Sequence, residues 1–228
     1  RDFKRSGMML EVEQRKELKQ ISSRILELSI LFSNNITSNV DTLFISEDMT
    51  IGLSDSYKAE RLQEDGLYAI DLSYPSFDPF MKYSAVDSLR KHLRFMYLNI
   101  GFPDNIPILD KIVHNSNRYA NILGYSSYAE YAIEEGMAKT PSAVWNFENM
   151  LRDSIKLKAY SDTKEMLEIK KEILGVDSVA LHDWDKYYYE NKLLLKKYNV
   201  DSRKVREYFE INQVIDGLFH VSELLFGL

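Results

Sequence analysis

From Leu18 onward, apolar residues recur at Ile21, Ile25, Leu28, Phe32 and Ile36, in steps of three and four, with Glu, Lys, Arg and Ser between them. Such steps place the apolar side chains on one stripe of a 3.6-residue helix, so the spacing predicts a long amphipathic helix over about residues 10–39. Asn34-Asn35 and then Asn39-Val40-Asp41 mark its end. Asn35-Ile36-Thr37 has the form of a glycosylation sequon, but the triplet is common by chance and a cysteine-free chain gives it no secretory context.

The period changes over residues 43–73. Leu43-Phe44-Ile45 and Leu67 to Leu72 read as two short strands that can pair, with a short helical pattern from Asp55 to Gln63 between them. Pro75 and Pro79 punctuate a turn into a short helix. Ser84 is the expected N-cap of a helix over Ala85–Asn99, stopped by Gly101 and Pro103. Further helices follow over about residues 84–228, with a stop or start signal at nearly every end. Pro107 opens one that reaches Leu123 before Gly124, and Ser126 caps another over Ser127–Glu135 before Gly136. Thr140-Pro141 combines an N-cap with proline at the first helical position. The helix it opens is expected to bury Val144, Trp145, Phe147, Met150 and Leu151, and a separate one to end at Leu174 before Gly175. Another spans Asp183–Tyr198, Asp201 caps a short one before Tyr208-Phe209, and the last runs from Asn212 to Phe226. The reading is a mostly α, multi-helical protein with two short strands, and no repeat of 30–45 residues supports a solenoid.

Composition narrows the function. The 228 residues include 15 tyrosines and 11 phenylalanines against 9 glycines and 5 prolines, which excludes a disordered chain. The length allows one large unit or two small ones; residues 1–228 are taken as a single helical region. A net charge of −6 leaves no basic field for nucleic acid. The absence of cysteine excludes disulfides, thiolate metal sites and a cysteine nucleophile. Apolar clusters such as Leu193-Leu194-Leu195 are interrupted well short of the roughly 20 residues that span a bilayer. The Leu10–Asn39 helix carries both charge signs, which argues against a membrane-surface role. Arg1, without an initiator methionine or an apolar signal core, is read as an internal position of a longer chain.

No catalytic constellation is visible. His92, His114, His182 and His220 never come within the i, i+4 spacing of a zinc helix. His220-Val221-Ser222-Glu223 begins like the inverted zinc pattern, but Leu224 stands where the second imidazole belongs, so His220 and Glu223 are read as structural. The carboxylate pairs Glu134/Glu135 and Asp183/Asp185 are the candidates for acid–base work; a solvated face is the simpler reading, with Asp183 as a helix N-cap. Tyr187-Tyr188-Tyr189 beside Trp184 is read as packing, because consecutive helical positions point in different directions. Catalytic residues, metal ligands and substrate-binding residues are therefore assigned to no position.

Three blocks taken together resemble one family. Ile122 to Tyr131 followed by Met137-Ala138-Lys139-Thr140-Pro141 resembles the "LLGY..YA.Y......MAKT" segment of the thimet oligopeptidase/neurolysin family of zinc metallopeptidases, which includes saccharolysin and mitochondrial intermediate peptidase. Trp184-Asp185-Lys186-Tyr187-Tyr188 is similar to that family's "WD..YY" and leads into Tyr208-Phe209, Gly217-Leu218 and Leu224 to Leu228, similar to its "EYFP......GL......LLGL". Lys4-Arg5-Ser6-Gly7 with the long helix resembles its "R.G..L", and Asp71 to Pro75 its short strand ending in Tyr-Pro. The family's H-E-x-x-H motif, third glutamate ligand and oxyanion-stabilising groups lie downstream of the "LLGL" segment, so none is carried over to a residue here.

The resemblance implies an elongated, mainly helical enzyme of two lobes flanking a deep channel, cleaving short peptides with one zinc ion. This chain would be a non-catalytic portion forming channel wall and hinge, inactive by itself. Its partners would be short peptides and the catalytic lobe of the same chain, with no nucleic acid and no membrane. A stand-alone helical interaction or scaffold module derived from such a peptidase is the alternative. The WD..YY and Tyr208-Phe209 regions look nearer to the cytosolic branch, so a cytoplasmic location is expected, with mitochondria as the alternative.

Overall fold

The computed structural model describes residues 2–227. Helices dominate: α1 (Asp2–Arg5), α2 (Val12–Thr37), α3 (Asp55–Ala59), α4 (Tyr74–Tyr83), α5 (Asp87–Leu98), α6 (Asn105–Ile122), α7 (Tyr128–Ile133), α8 (Pro141–Leu174), α9 (Lys186–Tyr198), α10 (Ser202–Arg206) and α11 (Ile211–Phe226). Strands β1 (Thr42–Ile45) and β2 (Tyr68–Asp71) pair in a two-stranded sheet, as the change of period predicts. The chain divides into two compact units. The first comprises the residues up to Phe44, Ala69–Ser73 and His92–Tyr160; the second comprises Ile45–Tyr68, Tyr74–Lys91 and the residues from Ser161 onward.

In the first unit the predicted long helix, α2, packs along α6, burying Leu18, Ile21 and Leu28. The pairing is antiparallel: Glu17 meets Arg118 near one end, and near the other Asn35 Nδ2 donates to Asn105 Oδ1 at 2.8 Å. Asn105 in turn donates to the Phe32 carbonyl at 3.1 Å, so the buried amide is used on both sides. The segment before α2 is fixed by Arg5, whose guanidinium donates to the Tyr131 carbonyl at 2.9 Å and lies 4.5 Å over the Tyr131 ring. Gly7 then turns with φ +78, where an added Cβ would meet Leu18 Cδ2 at 2.6 Å.

In the second unit α4 buries Ser76, Phe77, Phe80 and Met81 and packs on α9. Both prolines lie inside this helix instead of in a turn before it. Pro79 has no N–H for the Pro75 carbonyl four residues back, and Arg61 Nη2 donates to that carbonyl instead, at 2.9 Å. Tyr188 and Tyr189 of α9 are buried with Ile169 of α8, against Met166, Leu181 and Leu193.

Several boundaries differ from expectation for local reasons. Ser84 does not cap α5: it is fully buried, its N–H still bonds the Phe80 carbonyl at 2.9 Å at the end of α4, and α5 starts at Asp87. The helix predicted to open at Pro107 starts at Asn105, with proline in its first turn. Ser127, not Ser126, caps α7, accepting from the Glu130 N–H at 3.2 Å. Thr140 caps α8 as predicted, accepting from Ala143 N–H at 3.3 Å. That helix is continuous over 34 residues, because no glycine or proline interrupts Ser142–Leu174. Its expected core is not one: Trp145 is 63% exposed, and Phe147, Met150 and Leu151 are also exposed.

Candidate functional site

The most heavily charged buried cluster lies in the second unit. The turn before α9 is one turn of 3-10 helix, Asp183–Asp185, preceded by His182. Asp183 is therefore not the N-cap. The carboxylate that satisfies the turn belongs to Asp185, whose Oδ2 accepts the His182 N–H at 2.8 Å. Asp185 is fully buried and also accepts from Lys170 Nζ at 2.6 Å and Arg90 Nη2 at 3.3 Å.

Each cation has further partners. Lys170 donates to the Ala180 carbonyl at 2.8 Å. Arg90 donates to the Ser84 carbonyl and to Asp87, both at 2.9 Å, and lies 4.3 Å over the Tyr188 ring. Burial pushes the Asp185 carboxyl up, but the Lys170 ammonium and the His182 amide outweigh it, so Asp185 titrates below its ordinary range. Trp184 stacks on His182 with centroids 4.4 Å apart and donates to Asp87 at 3.2 Å. Asp87, Arg90, Lys170, His182, Trp184 and Tyr188 are among the residues that line a cavity of about 330 Å³. A carboxylate ionised near neutrality has no proton to give, and with its oxygens engaged by Lys170, Arg90 and the His182 N–H it is poorly suited to take one, so the cluster serves to order three segments.

The other sequence candidates are also occupied structurally. Glu134 accepts from the Tyr125 hydroxyl at 2.6 Å and bonds Arg5, and Glu135 lies 3.5 Å from Arg5, so this carboxylate pair anchors the segment before α2. Tyr188 and Tyr189 are core residues and present no stacking platform. His92, His114, His182 and His220 are all exposed and lie on separate elements, except that His220 shares α11 with Asp216 and Glu223. Among the described residues, no group of three or more His, Asp or Glu side chains is arranged to hold a metal ion. Arg90 and Lys170 escape sequence reasoning because they stand 95 and 15 positions from Asp185, and no motif links them.

A second concave feature lies between α3, α4 and α10. It has a volume of about 450 Å³, and its walls carry Tyr74, Lys82, Tyr83, Arg203 and Arg206. Among the described residues, no helix is long and apolar enough to cross a membrane.

The chain is similar to known proteins along essentially its whole length. The chain is 31% identical to saccharolysin of Saccharomyces cerevisiae over 241 aligned residues, covering 100% of this chain and 33% of that protein. It is 29% identical to a thimet-like oligopeptidase of Dictyostelium discoideum, covering 99% of this chain and 35% of the relative, and 29% identical to oligopeptidase A of Escherichia coli, covering 100% and 36%. Relatives described as organellar and as cytosolic, both from Arabidopsis thaliana, also match. The chain thus spans about a third of the length of these relatives. With residues 80–228 matching Peptidase family M3, the chain belongs to that family.

Proposed function

We propose that this chain is a non-catalytic helical portion of a zinc-dependent oligopeptidase that hydrolyses short peptides, forming part of the wall of its substrate channel. The observation that carries the reading is membership of Peptidase family M3 in a chain about a third as long as its oligopeptidase relatives and containing no H-E-x-x-H.

The helices support it. In α11 no residue is buried, and Leu224, Leu225 and Phe226 are 71%, 69% and 73% exposed. A helix this apolar is stable in water only when covered, and the catalytic lobe is the proposed cover. Zinc would be held by that lobe and by no residue of this chain. The working compartment in this reading is the cytoplasm, with mitochondria as the second assignment because an organellar relative matches.

The test is hydrolysis of an internally quenched peptide of about ten residues. A protein joining this chain to a segment carrying H-E-x-x-H is expected to cleave it and to stop when a zinc chelator is added. The 228-residue chain alone is expected to be inactive. Chelator-sensitive cleavage by the chain alone would overturn the reading.

A further inference from the structure

The cavity between α3, α4 and α10 has a rigid floor and an unbalanced rim. Tyr57 at the floor is buried, donates its hydroxyl to the Ser76 carbonyl at 2.7 Å, and is covered by Arg61 at 3.7 Å from the ring. Pro75, Asp78, Pro79, Lys82 and Tyr83 line the cavity at spacings of three and four, so α4 presents one face to it. Arg203 is engaged, ion-paired with Asp201 at 3.3 Å and 4.6 Å over the Tyr83 ring. Glu60 is likewise paired, with Arg61 at 3.0 Å.

Lys82 and Arg206 have no ion-pair partner among the described residues, and the remaining unpaired lining carboxylate is Asp78. This leaves a local excess of positive charge in a chain of net charge −6. The volume of about 450 Å³ falls in the range of small-ligand sites.

We infer that this cavity is a subsite for a carboxylate of a short peptide, held by Lys82 and Arg206, with Tyr74 and Tyr83 packing the adjoining residue. The inference rests on the oligopeptidase reading for the peptide nature of the ligand. Asp78 favours a peptide over a phosphate: a lining carboxylate repels a dianion, whereas a peptide brings amide N–H groups that need acceptors. The carboxylate can be the C-terminus or an acidic side chain.

Calorimetric titration of the 228-residue chain with three six-residue peptides of otherwise neutral side chains tests this. One has a free C-terminus, one is amidated, and one is amidated with an internal glutamate. The free acid is expected to bind about 10-fold more tightly than the amide. Recovery of that affinity by the glutamate peptide shows that the site accepts a carboxylate from either source, and failure to recover restricts it to the terminus. Arg206→Ala is expected to abolish the preference and Arg206→Lys to keep part of it, with unchanged thermal melts because Arg206 is exposed. Equal binding of acid and amide, or a preference that survives Arg206→Ala, would overturn the subsite and leave the channel reading intact, since that reading depends on chelator-sensitive hydrolysis. Absence of binding by any of the three peptides would also overturn the subsite.

Discussion

Replacing Asp185 by asparagine removes one charge and no volume, which isolates the electrostatic role of the buried cluster. The carboxylate is fully buried, and its partners Lys170 and Arg90 are 6% and 1% exposed. With asparagine in place, two buried cations face a neutral amide, whose NH2 group has to point at one of their donors or at the His182 N–H. Breaking a buried pair on one side costs about 3–5 kcal/mol, far more than an exposed pair is worth. For a chain of this size that lowers the melting temperature by roughly 6–20 °C.

Trp184 is a local reporter, because it donates to Asp87 at 3.2 Å and stacks on His182. The other tryptophan, Trp145, is 63% exposed and can be replaced by phenylalanine to leave one signal. Urea unfolding followed by Trp184 emission at pH 7 should show the loss. Adding Lys170→Met to Asp185→Asn should recover part of it, since one of the stranded cations is then gone. The sign with pH is fixed: the folded carboxyl titrates below its ordinary value, so its stabilisation is present above the unfolded value and is lost as pH falls through the lower folded one. A loss under about 1 kcal/mol for Asp185→Asn at pH 7 would refute the reasoning.

Other perturbations follow from local geometry. Gly52 has φ +91 and its Cβ would lie 2.2 Å from the Tyr83 carbonyl oxygen, so Gly52→Ala should cost at least about 2 kcal/mol in the same unfolding assay. The Tyr68 hydroxyl bonds Glu47 and, with Lys58, holds its carboxyl below the ordinary value; Tyr68→Phe should move the Glu47 titration upward, as read by carboxyl NMR. Burial pushes Tyr119 and Tyr189 up to about 12, so phenolate absorbance should show a late phase that loses amplitude in Tyr189→Phe. The exposed apolar surface of α11 should make the isolated chain self-associate, and Leu218→Glu with Leu225→Glu should shift it toward monomer in sedimentation velocity without changing its helix content.

The parts of the fold legible in the sequence are those decided by neighbours within about four residues. The stripe from Leu18 to Ile36 and the Thr140-Pro141 start needed no knowledge of the rest of the chain, and both elements are where the pattern puts them. Boundaries failed where a backbone group found a partner that the local residue signal does not reveal. Ser84 reads as a cap, yet Arg90 takes its carbonyl and α4 keeps its N–H. Pro79 reads as a break, yet Arg61 replaces the hydrogen bond that proline removes. The Asp185 cluster was not legible either, because its members come from three segments and a charged residue gives no periodic signal.

The misjudged core of α8 has a different cause. An amphipathic pattern states that a face is apolar; it does not state what covers it. On α2 the cover is α6, within the same unit, and Leu18, Ile21 and Leu28 are buried. Trp145, Phe147 and Met150 are exposed within this chain, and in α11 no residue is buried. The apolar faces of α8 and α11 differ from that of α2 in having no such cover among the described residues, which is why the same pattern gives a core in one helix and exposed side chains in the others.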